Sequence, residues 1–271
     1  MSARTSTSKE PERIAGMFDA IARRYDTLNH LLSAGLDRRW RRRAVQALAL
    51  TGRECVLDMC TGTADLAIEA VTSTSGRAAR VVGVDFSSEM LRYAAAKVRA
   101  ASLGTRVQLL RGDATAVPLP DGTCDAAMVA FGIRNVLDPV RGCQEFCRVL
   151  KPGGRLAVLE FGSPRIPGLR AAYLWYFRRV LPLVGRLISK HRDAYTYLPA
   201  SVIEFPSGAA FEAMLRQAGF GQVRFETLSL GIVYLYLATK PLDAQGGAVA
   251  ASTQRVSVPD SRRGSATASP P

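Results

Sequence analysis

Three aspartates lie where a nucleoside ligand could bind them, each within or at the end of an apolar segment. Asp58 precedes a turn of small residues at Gly62, Asp85 ends the next apolar segment, and Asp113 ends the third. In nucleotide-binding α/β units, such a turn lets a ligand approach the backbone at the carboxyl end of a strand. The acid about 20 residues further on accepts both ribose hydroxyls. The spacing therefore indicates a nucleoside cofactor, with Asp85 as its ribose ligand.

The composition of the turn indicates which cofactor binds there. A dinucleotide site needs three spaced glycines whose backbone N–H groups hold a pyrophosphate, but this turn has only Gly62. Acids on both sides of the turn suit a cation better than a diphosphate. We therefore expect S-adenosylmethionine, with its adenine amino group donating to Asp113 and its ring lying against Ala114. The alternative is an α/β turn that binds no ligand.

Alternating apolar and polar segments predict the elements that must position these residues. The predicted strands are 55–59, 80–85, 106–111, 123–131 and 154–161, and the predicted helices are 64–72, 87–101 and 138–150. The runs 222–228 and 232–239 alternate with period two and predict an antiparallel hairpin. Together they predict an α/β fold, in which a doubly wound, mostly parallel, seven-stranded sheet is covered on both faces and closed by the hairpin.

Composition divides the chain into one domain and its flanks. Residues 1–12 are polar and predict a disordered leader, and residues 241–271 are rich in Ala, Gly, Ser and Pro and predict a disordered tail. Residues 13–50 carry apolar residues at helical spacing. Residues 163–206 interrupt the α/β alternation with Pro-bounded, aromatic-rich helices. We therefore expect one domain at 13–240 with N-terminal helices and a helical cap insert.

Two basic clusters account for nearly all of the net charge of +13. The first contains Arg38, Arg39, Arg41, Arg42 and Arg43, and the second contains Arg165, Arg170, Arg178, Arg179, Arg186, Lys190 and Arg192. Localised positive charge predicts an acidic partner, either nucleic acid or the anionic face of a membrane.

The cysteines and histidines do not form a metal motif. None of the five cysteines has CxxC spacing, so they are expected to be reduced thiols in the core of a cytosolic protein. Two histidines, His30 and His191, are too few for a metal site, and we predict none. The N-terminus lacks an apolar signal segment, and no apolar run approaches the ~20 residues of a spanning helix. These features predict a cytoplasmic protein.

Two further stretches resemble the signatures of the ubiquinone/menaquinone biosynthesis C-methyltransferases. Residues 25–35 read YDTLNHLLSAG and, with Trp40, resemble the N-terminal signature; residues 148–156 read RVLKPGGRL and, with Glu160, resemble the second. The resemblance covers the domain predicted above. It implies the class I methyltransferase version of the Rossmann-like fold.

Shorter segments and the cofactor turn extend this resemblance. FGIRNV at 131–136 and YTYLP at 195–199 resemble family segments, and the turn is nearer to the menaquinone-type version than to the ubiquinone type. Asp37 stands where the signature usually has His, and Ala130 replaces a serine that contacts the cofactor in some members. The cofactor contacts that carry over by resemblance are Thr63, Asp85, Asp113 and Ala114.

The implied reaction is methylation of a ring carbon of polyprenyl demethylmenaquinol, the final methylation in menaquinone biosynthesis. The enzyme must stabilise a phenolate, align the reacting atoms and exclude water. Arg134 follows the fourth predicted strand and can stabilise the phenolate, with Asn135 and Tyr25 as polar partners of the quinol oxygens. The alternative for Arg134 is a salt bridge to Asp138 or Asp113. Either histidine could be the base, although a lone histidine is more often structural.

The polyprenyl tail gives the cap insert a proposed role. Aromatic residues edged by arginines are typical of an interfacial helix on anionic lipid, so we expect peripheral association with the inner face of the cytoplasmic membrane. The alternative is an ordinary cap helix with a solvated basic face. The residues of the expected membrane surface are Tyr173, Leu174, Trp175, Tyr176, Phe177, Val180, Leu181, Leu183, Val184, Leu187 and Ile188.

Other functions remain as alternatives. A ubiquinone-type or dual acceptor is the nearest. A nucleic-acid methyltransferase would also be basic, but amino methylation of bases commonly uses Asn/Asp-Pro-Pro-aromatic after the fourth strand, where this chain has FGIRN at 131–135. No nucleic-acid partner is therefore expected. A non-catalytic S-adenosylmethionine-binding subunit is disfavoured by the cofactor acids and Arg134. The sequence leaves open whether the chain forms a homo-oligomer.

Overall fold

A computed structural model of the chain describes residues 11–74, 76–164, 166–176, 179 and 192–242. The strands are β1 Cys55–Met59, β2 Arg80–Asp85, β3 Val107–Arg111, β4 Cys124–Ala130, β5 Leu150–Phe161, β6 Gln222–Leu228 and β7 Val233–Thr239. The helices are α1 Pro11–Ile21, α2 Tyr25–Leu32, α3 Leu36–Ala47, α4 Asp65–Thr72, α5 Ser88–Ala100, α6 Pro139–Val149, α7 Pro167–Trp175, α8 Arg192–Glu204 and α9 Ala209–Gln217.

The strands form one seven-stranded sheet in the order β3-β2-β1-β4-β5-β7-β6. The pairs from β3 to β5 are parallel, and β7 pairs antiparallel with both β5 and β6. This confirms the predicted doubly wound sheet with its closing hairpin. Because β1 and β4 are neighbours without being consecutive, the strand order reverses between them. Ligands of such sheets bind at the carboxyl ends of the strands beside this reversal.

Apolar residues cover both faces of the sheet. Val56 belongs to one buried cluster together with Val45, and the next residue, Leu57, belongs to another together with Phe146. Successive side chains of a strand point to opposite faces, so the apolar run of β1 fills two layers. Cys55, Cys124 and Cys143 are buried, and all five cysteines are free thiols.

Several element boundaries differ from the sequence-based expectations. α1 begins at Pro11, inside the predicted leader, and α9 was not predicted. β5 begins at Leu150, four residues before the predicted start, because Leu150 pairs with Cys124 across an irregularity in the β4–β5 register. The hairpin turns through a short 3-10 helix at Ser229–Gly231. The predicted tail lies outside the described residues beyond 242.

Three arginines of the first basic cluster are paired with acids in the structure. The cluster lies on α3, where Arg41 is buried and forms an ion pair with Asp37. Arg42 lies 3.3 Å from Glu69, and an Nη of Arg43 donates to Glu226 at 2.8 Å. Helix α3 thus directs most of these charges toward acids of neighbouring elements. The pairs with Glu69 and Glu226 follow from the tertiary arrangement, whereas Asp37 and Arg41 have the i,i+4 spacing of neighbours on one helix.

Candidate active site

A cavity of about 790 Å³ opens at the carboxyl ends of β1, β2, β3 and β4. Its lining includes Gly62, Asp85, Asp113, Ala114 and Asn135. The fold therefore brings together most of the residues that the sequence singled out for a cofactor. A pocket lined mostly by apolar groups, with a few polar ones, is suited to a nucleoside. We call it the cofactor cavity.

Asp85 holds the turn at Gly62, and both residues line this cavity. Its two carboxylate oxygens each accept a backbone N–H, from Gly62 at 2.8 Å and from Ser87 at 2.9 Å. Burial raises the pKa of Asp85 above its usual value, although these hydrogen bonds oppose the shift. Gly62 has φ +56°, a conformation that glycine adopts without strain. Each oxygen of Asp85 keeps a lone pair that a ligand hydroxyl could use.

Asp113 and Ala114 form another part of the lining. One oxygen of Asp113 accepts the backbone N–H of Thr115 at 2.8 Å, which orients the carboxylate at the end of β3. Ala114 is buried, with 8% of its surface exposed. The apolar side chains of Phe86 and Met90 also line the cavity. An adenine ring needs a flat apolar space and a hydrogen-bond acceptor for its amino group, and this part of the lining offers both.

Asp58 and Thr63 are not among the lining residues of the cofactor cavity. Asp58 is 1% exposed within β1 and accepts the Thr61 hydroxyl at 2.6 Å. Burial raises the pKa of Asp58 to about 7. The Thr63 hydroxyl donates to Asp26, at the start of α2. Both residues hold the turn in place through these hydrogen bonds.

A second and larger cavity, of about 1570 Å³, adjoins the first. The two cavities share three lining residues, all of them aromatic: Phe18, Tyr25 and Phe131. The lining of the second cavity is contributed mainly by α1, α2, α3, α7 and α8 and is predominantly apolar. We call it the acceptor cavity, because a second substrate that enters it would face the first across these three rings.

Arg134 and Asn135 share a 3-10 turn, Ile133–Asn135, that follows β4. Arg134 lines the acceptor cavity, whereas Asn135 lines the cofactor cavity. The turn is pressed against the β1 turn, since a Cβ added at Gly132 would lie 2.4 Å from the Cβ of Cys60. This close approach explains the glycine and sets the two polar side chains on either side of the shared wall.

The partner of Arg134 is Glu160 of β5, so the alternative pairing with Asp138 or Asp113 is wrong. An Nη of Arg134 donates to a carboxylate oxygen of Glu160 at 2.7 Å, and both side chains are buried. Asp138 instead caps α6 by accepting the backbone N–H of Arg141 at 2.9 Å. The sequence places Glu160 with the second family signature. It does not indicate that Glu160 pairs with Arg134, which is 26 residues away in the chain.

Phe131 is held in an unusual backbone conformation next to Arg134. Its φ is +59°, which is rare for a bulky residue and marks a site where the surrounding structure imposes strain. Its ring centroid lies 4.4 Å from that of Phe161 and 6.1 Å from that of Trp40. The Phe131 carbonyl accepts a hydrogen bond from Arg134. This geometry presents the ring to both cavities.

Tyr25, the first residue of α2, lines both cavities where they adjoin. Burial raises the pKa of Tyr25, so the hydroxyl stays protonated. The helices that carry it are fastened to α5: Asp19 accepts the Ser87 hydroxyl, and Asp26 pairs with Lys97 at 2.7 Å. The predicted Tyr25 site residue is therefore part of a covering layer over both cavities.

His30 belongs to an ion-pair network rather than to either cavity lining. Its Nδ1 lies 2.8 Å from Asp37, and one oxygen or nitrogen atom from each of His30, Asp37 and Asp65 falls within 4.8 Å of the others. Arg41 already pairs with both acids, and Lys97 pairs with Asp65. Cations of the chain thus neutralise this cluster. His191 lies outside the described residues.

The cap insert is described only in part. Trp175 is 63% exposed, as expected of a surface residue, but Tyr173 is 6% exposed and lines the acceptor cavity. Placing Tyr173 on the expected membrane surface was therefore wrong, because the inner face of α7 packs over the cavity. The expected surface residues 177 and 180–188 lie outside the described ranges. Among the helices described, none is both long and apolar enough to cross a bilayer.

The strand order, the reversal beside β1 and the acid-lined nucleoside cavity define a class I, S-adenosylmethionine-dependent methyltransferase. Solved structures with this fold include the cyclase SpnF (TM-score 0.63, 18% identity, covering 85% of this chain and 96% of that one). A second is a possible histamine N-methyltransferase from Thermotoga maritima (TM-score 0.58, 21% identity, covering 84% and 99%). At these identities the likeness shows the fold alone.

The chain belongs to the ubiE/COQ5 methyltransferase family, whose model matches residues 6–240. The UbiE ubiquinone/menaquinone biosynthesis C-methyltransferase of Syntrophotalea carbinolica is 51% identical over 83% of this chain and 93% of its own. That of a Geobacter species is 45% identical over 86% and 98%. The demethylmenaquinone methyltransferase of Thermus thermophilus is 47% identical over 83% and 100%. The predicted family, enzyme class and methyl donor are confirmed.

Proposed function

We propose that the protein methylates the ring carbon of demethylmenaquinol. The observation that carries this proposal is a buried guanidinium, Arg134, in a predominantly apolar cavity that adjoins the cofactor cavity. The other buried guanidinium of the lining, Arg41, is paired with Asp37. A quinol has the matching chemistry, with a flat apolar ring, an oxygen that can become anionic and an apolar tail. The name of the Thermus thermophilus relative supports the same acceptor. A ubiquinone-type or dual acceptor is the alternative, since other relatives are named for both quinones.

The proposed cofactor contacts follow from the lining. Asp85 accepts the ribose hydroxyls, Asp113 accepts the adenine amino group, and Ala114 leaves room for the ring. The backbone at Gly62 lies along the ligand. Oδ1 of Asn135 is buried without a hydrogen-bond partner among the described residues, which fits a donor group of the ligand. Asn135 lines the cofactor cavity rather than the acceptor cavity, so we assign it to S-adenosylmethionine instead of the quinol.

Arg134 is the proposed stabiliser of the phenolate. When the phenol next to the target carbon loses its proton to water, electron density rises at that carbon, and a nearby cation favours the ionised form. When bound, S-adenosylmethionine would supply the methyl group, and the electron pair of the broken carbon–sulfur bond would stay on sulfur. The ring carbon then releases its own proton to water, which restores the aromatic quinol. Tyr25 and Phe131 line the passage where the methyl group crosses.

The polyprenyl tail extends this proposal to the membrane. The acceptor is a lipid, and the mouth of the acceptor cavity is bordered by α7, whose last residue is the exposed Trp175. Arg179 is also exposed, and further basic residues of the insert follow it in the sequence. Tryptophan and arginine at such a border are typical of proteins that bind anionic lipid headgroups. We propose reversible, peripheral binding to such a membrane.

The acceptor is tested by supplying both quinol types to the purified protein with S-adenosylmethionine. We expect mass spectrometry to detect one added methyl group on a prenylated 1,4-naphthoquinol, with a much smaller kcat/KM for the ubiquinone-type benzoquinol. Methylation of the benzoquinol alone would reassign the acceptor. Methylation of neither quinol, by protein that binds S-adenosylmethionine, would reject the proposal.

A further inference from the structure

The acceptor cavity contains two buried hydrogen-bond donors that the described part of the chain does not satisfy. These are Nε of Arg134 and the hydroxyl of Tyr197. Both side chains line the cavity, and Tyr197 is only 6% exposed. Buried polar groups in native proteins nearly always have partners, because leaving one unpaired costs free energy. Both donors are therefore open to an acceptor atom of a ligand in this cavity.

The fold brings these donors together from distant parts of the sequence. Tyr197 lies on α8, which packs against the 3-10 turn that carries Arg134. The guanidinium is anchored on one side, because an Nη donates to Glu160 and to the carbonyl of Phe131. This anchoring leaves Nε for another partner. The charge of Arg134 is close enough to favour the ionised form of the Tyr197 phenol.

We propose that Tyr197 is a catalytic residue, whose O–H and the Nε–H of Arg134 together bind the phenolate oxygen of the acceptor. The inference rests on the proposed function. A phenolate oxygen has lone pairs for two donors, and donors fixed before the reaction stabilise developing charge without the cost of reorganisation. The positive charge of Arg134 stabilises the phenolate, and the Tyr197 hydroxyl fixes the position of the phenolate oxygen relative to the methyl group.

Tyr197 must remain protonated to play this part. Burial raises the pKa of its phenol and outweighs the opposing effect of Arg134. The other charged groups that act on it are Arg13, Glu160 and Glu204, and the two acids also disfavour its ionisation. At neutral pH the hydroxyl is therefore a donor, and it does not compete with the acceptor for the role of anion.

The test removes one oxygen atom with Tyr197→Phe. Loss of one oxyanion donor lowers kcat by about 100- to 1,000-fold, and we expect a loss in this range, with unchanged affinity for S-adenosylmethionine. A naphthol that carries an electron-withdrawing halogen should lose less turnover, because its phenolate needs less stabilisation. The matched control is Tyr236→Phe. Tyr236 is also buried, but its hydroxyl accepts the Gly208 N–H at 2.6 Å outside both cavities.

A binding readout makes the test independent of turnover. The ultraviolet absorbance of bound 1-naphthol reports its ionisation, and its pKa should be lower on the wild-type protein and on Tyr236→Phe than on Tyr197→Phe. Equal naphthol pKa values on Tyr197→Phe and wild type would overturn the inference. So would unchanged kcat, or a uniform loss on all acceptors that matches a lower melting temperature. If the wild type methylates no quinol, the proposed function fails, and the naphthol titration still decides whether Tyr197 binds a phenolate.

Discussion

The ion pair between Arg134 and Glu160 should contribute to stability and to chemistry in ways that two single substitutions and their double variant can separate. The joined atoms are 2.7 Å apart, and the side chains are 7% and 1% exposed. With charge centres about 4 Å apart, the attraction is ~4 kcal/mol at an effective dielectric constant of about 20. Removing either partner leaves a buried, uncompensated charge, which typically costs about 3–5 kcal/mol. Small domains have only ~5–15 kcal/mol in total.

Arg134→Met and Glu160→Gln keep the approximate size of each side chain. We expect each to lower the free energy of unfolding by about 3–5 kcal/mol in urea titrations. The loss for Arg134→Met should be at the lower end, because Glu160 also accepts the backbone N–H of Phe161 at 2.9 Å. The double variant should lose clearly less than the sum, since neither charge is then left unpaired. Arg134→Met and the double variant should both lose turnover on demethylmenaquinol while retaining S-adenosylmethionine affinity.

Two results would refute this reasoning. Additive losses in the double variant would mean that the two groups do not interact energetically despite their distance. Recovery of turnover together with stability in the double variant would show that Arg134 serves only to neutralise Glu160, and the phenolate role would then fall. Arg134→Lys is an intermediate case, because an ammonium keeps the charge but loses the second donor direction of a guanidinium.

Three further predictions follow from the same structure. Asp85→Asn should weaken S-adenosylmethionine binding by about 1.5–3 kcal/mol in calorimetry, as charged hydrogen bonds to the ribose are lost; unchanged affinity would remove Asp85 as the ribose ligand. The folded-state pKa of Asp58, about 7, exceeds the unfolded value. Asp58 therefore favours the folded state most below about pH 4, and this contribution to the free energy of unfolding is lost as the pH rises through 7. Relative to Asp58→Asn, the wild type should therefore lose about 2–4 kcal/mol of unfolding free energy between pH 4 and pH 8, and parallel pH profiles would contradict this. Replacing Arg178, Arg179 and Arg186 by Gln should reduce co-sedimentation with anionic vesicles and activity on long-chain acceptors, at about 1 kcal/mol per residue, and should spare a short soluble quinol; equal losses on both acceptors would exclude the membrane role.

The sheet was predictable because its signals are local. The apolar run around Val56 and the period-two alternation of 222–228 and 232–239 each indicate a strand. The observed strand bounds differ from the predicted ones by few residues. β5 is the exception: its first residues, from Leu150, pair through an irregular register, which no pattern within the segment reveals. α9 was missed although Phe211 and Leu215, both buried, have the i,i+4 spacing that indicates one face of a helix.

The cofactor site was predictable in part. Asp85, Asp113 and Ala114 line the cofactor cavity because each follows or ends a strand whose carboxyl end must lie at that edge of the sheet. Thr63 and Asp58 are neighbours of the same turn but are not among the lining residues. A turn with positive φ at Cys60, Gly62 and Ala64 reverses the direction of side chains within a few residues, so sequence proximity does not decide which of them faces the ligand.

By itself, the sequence determined the fold class, the methyl donor and the family, because these depend on local hydrophobic periods and short motifs. The tertiary structure decided how charges and hydroxyls are paired. Arg134 meets Glu160 and lies near Tyr197 through contacts between elements far apart in the chain, and Arg41 is buried against Asp37 rather than exposed in a basic surface. Pairing energy depends on distance and burial, and both are set only when the helices pack over the sheet.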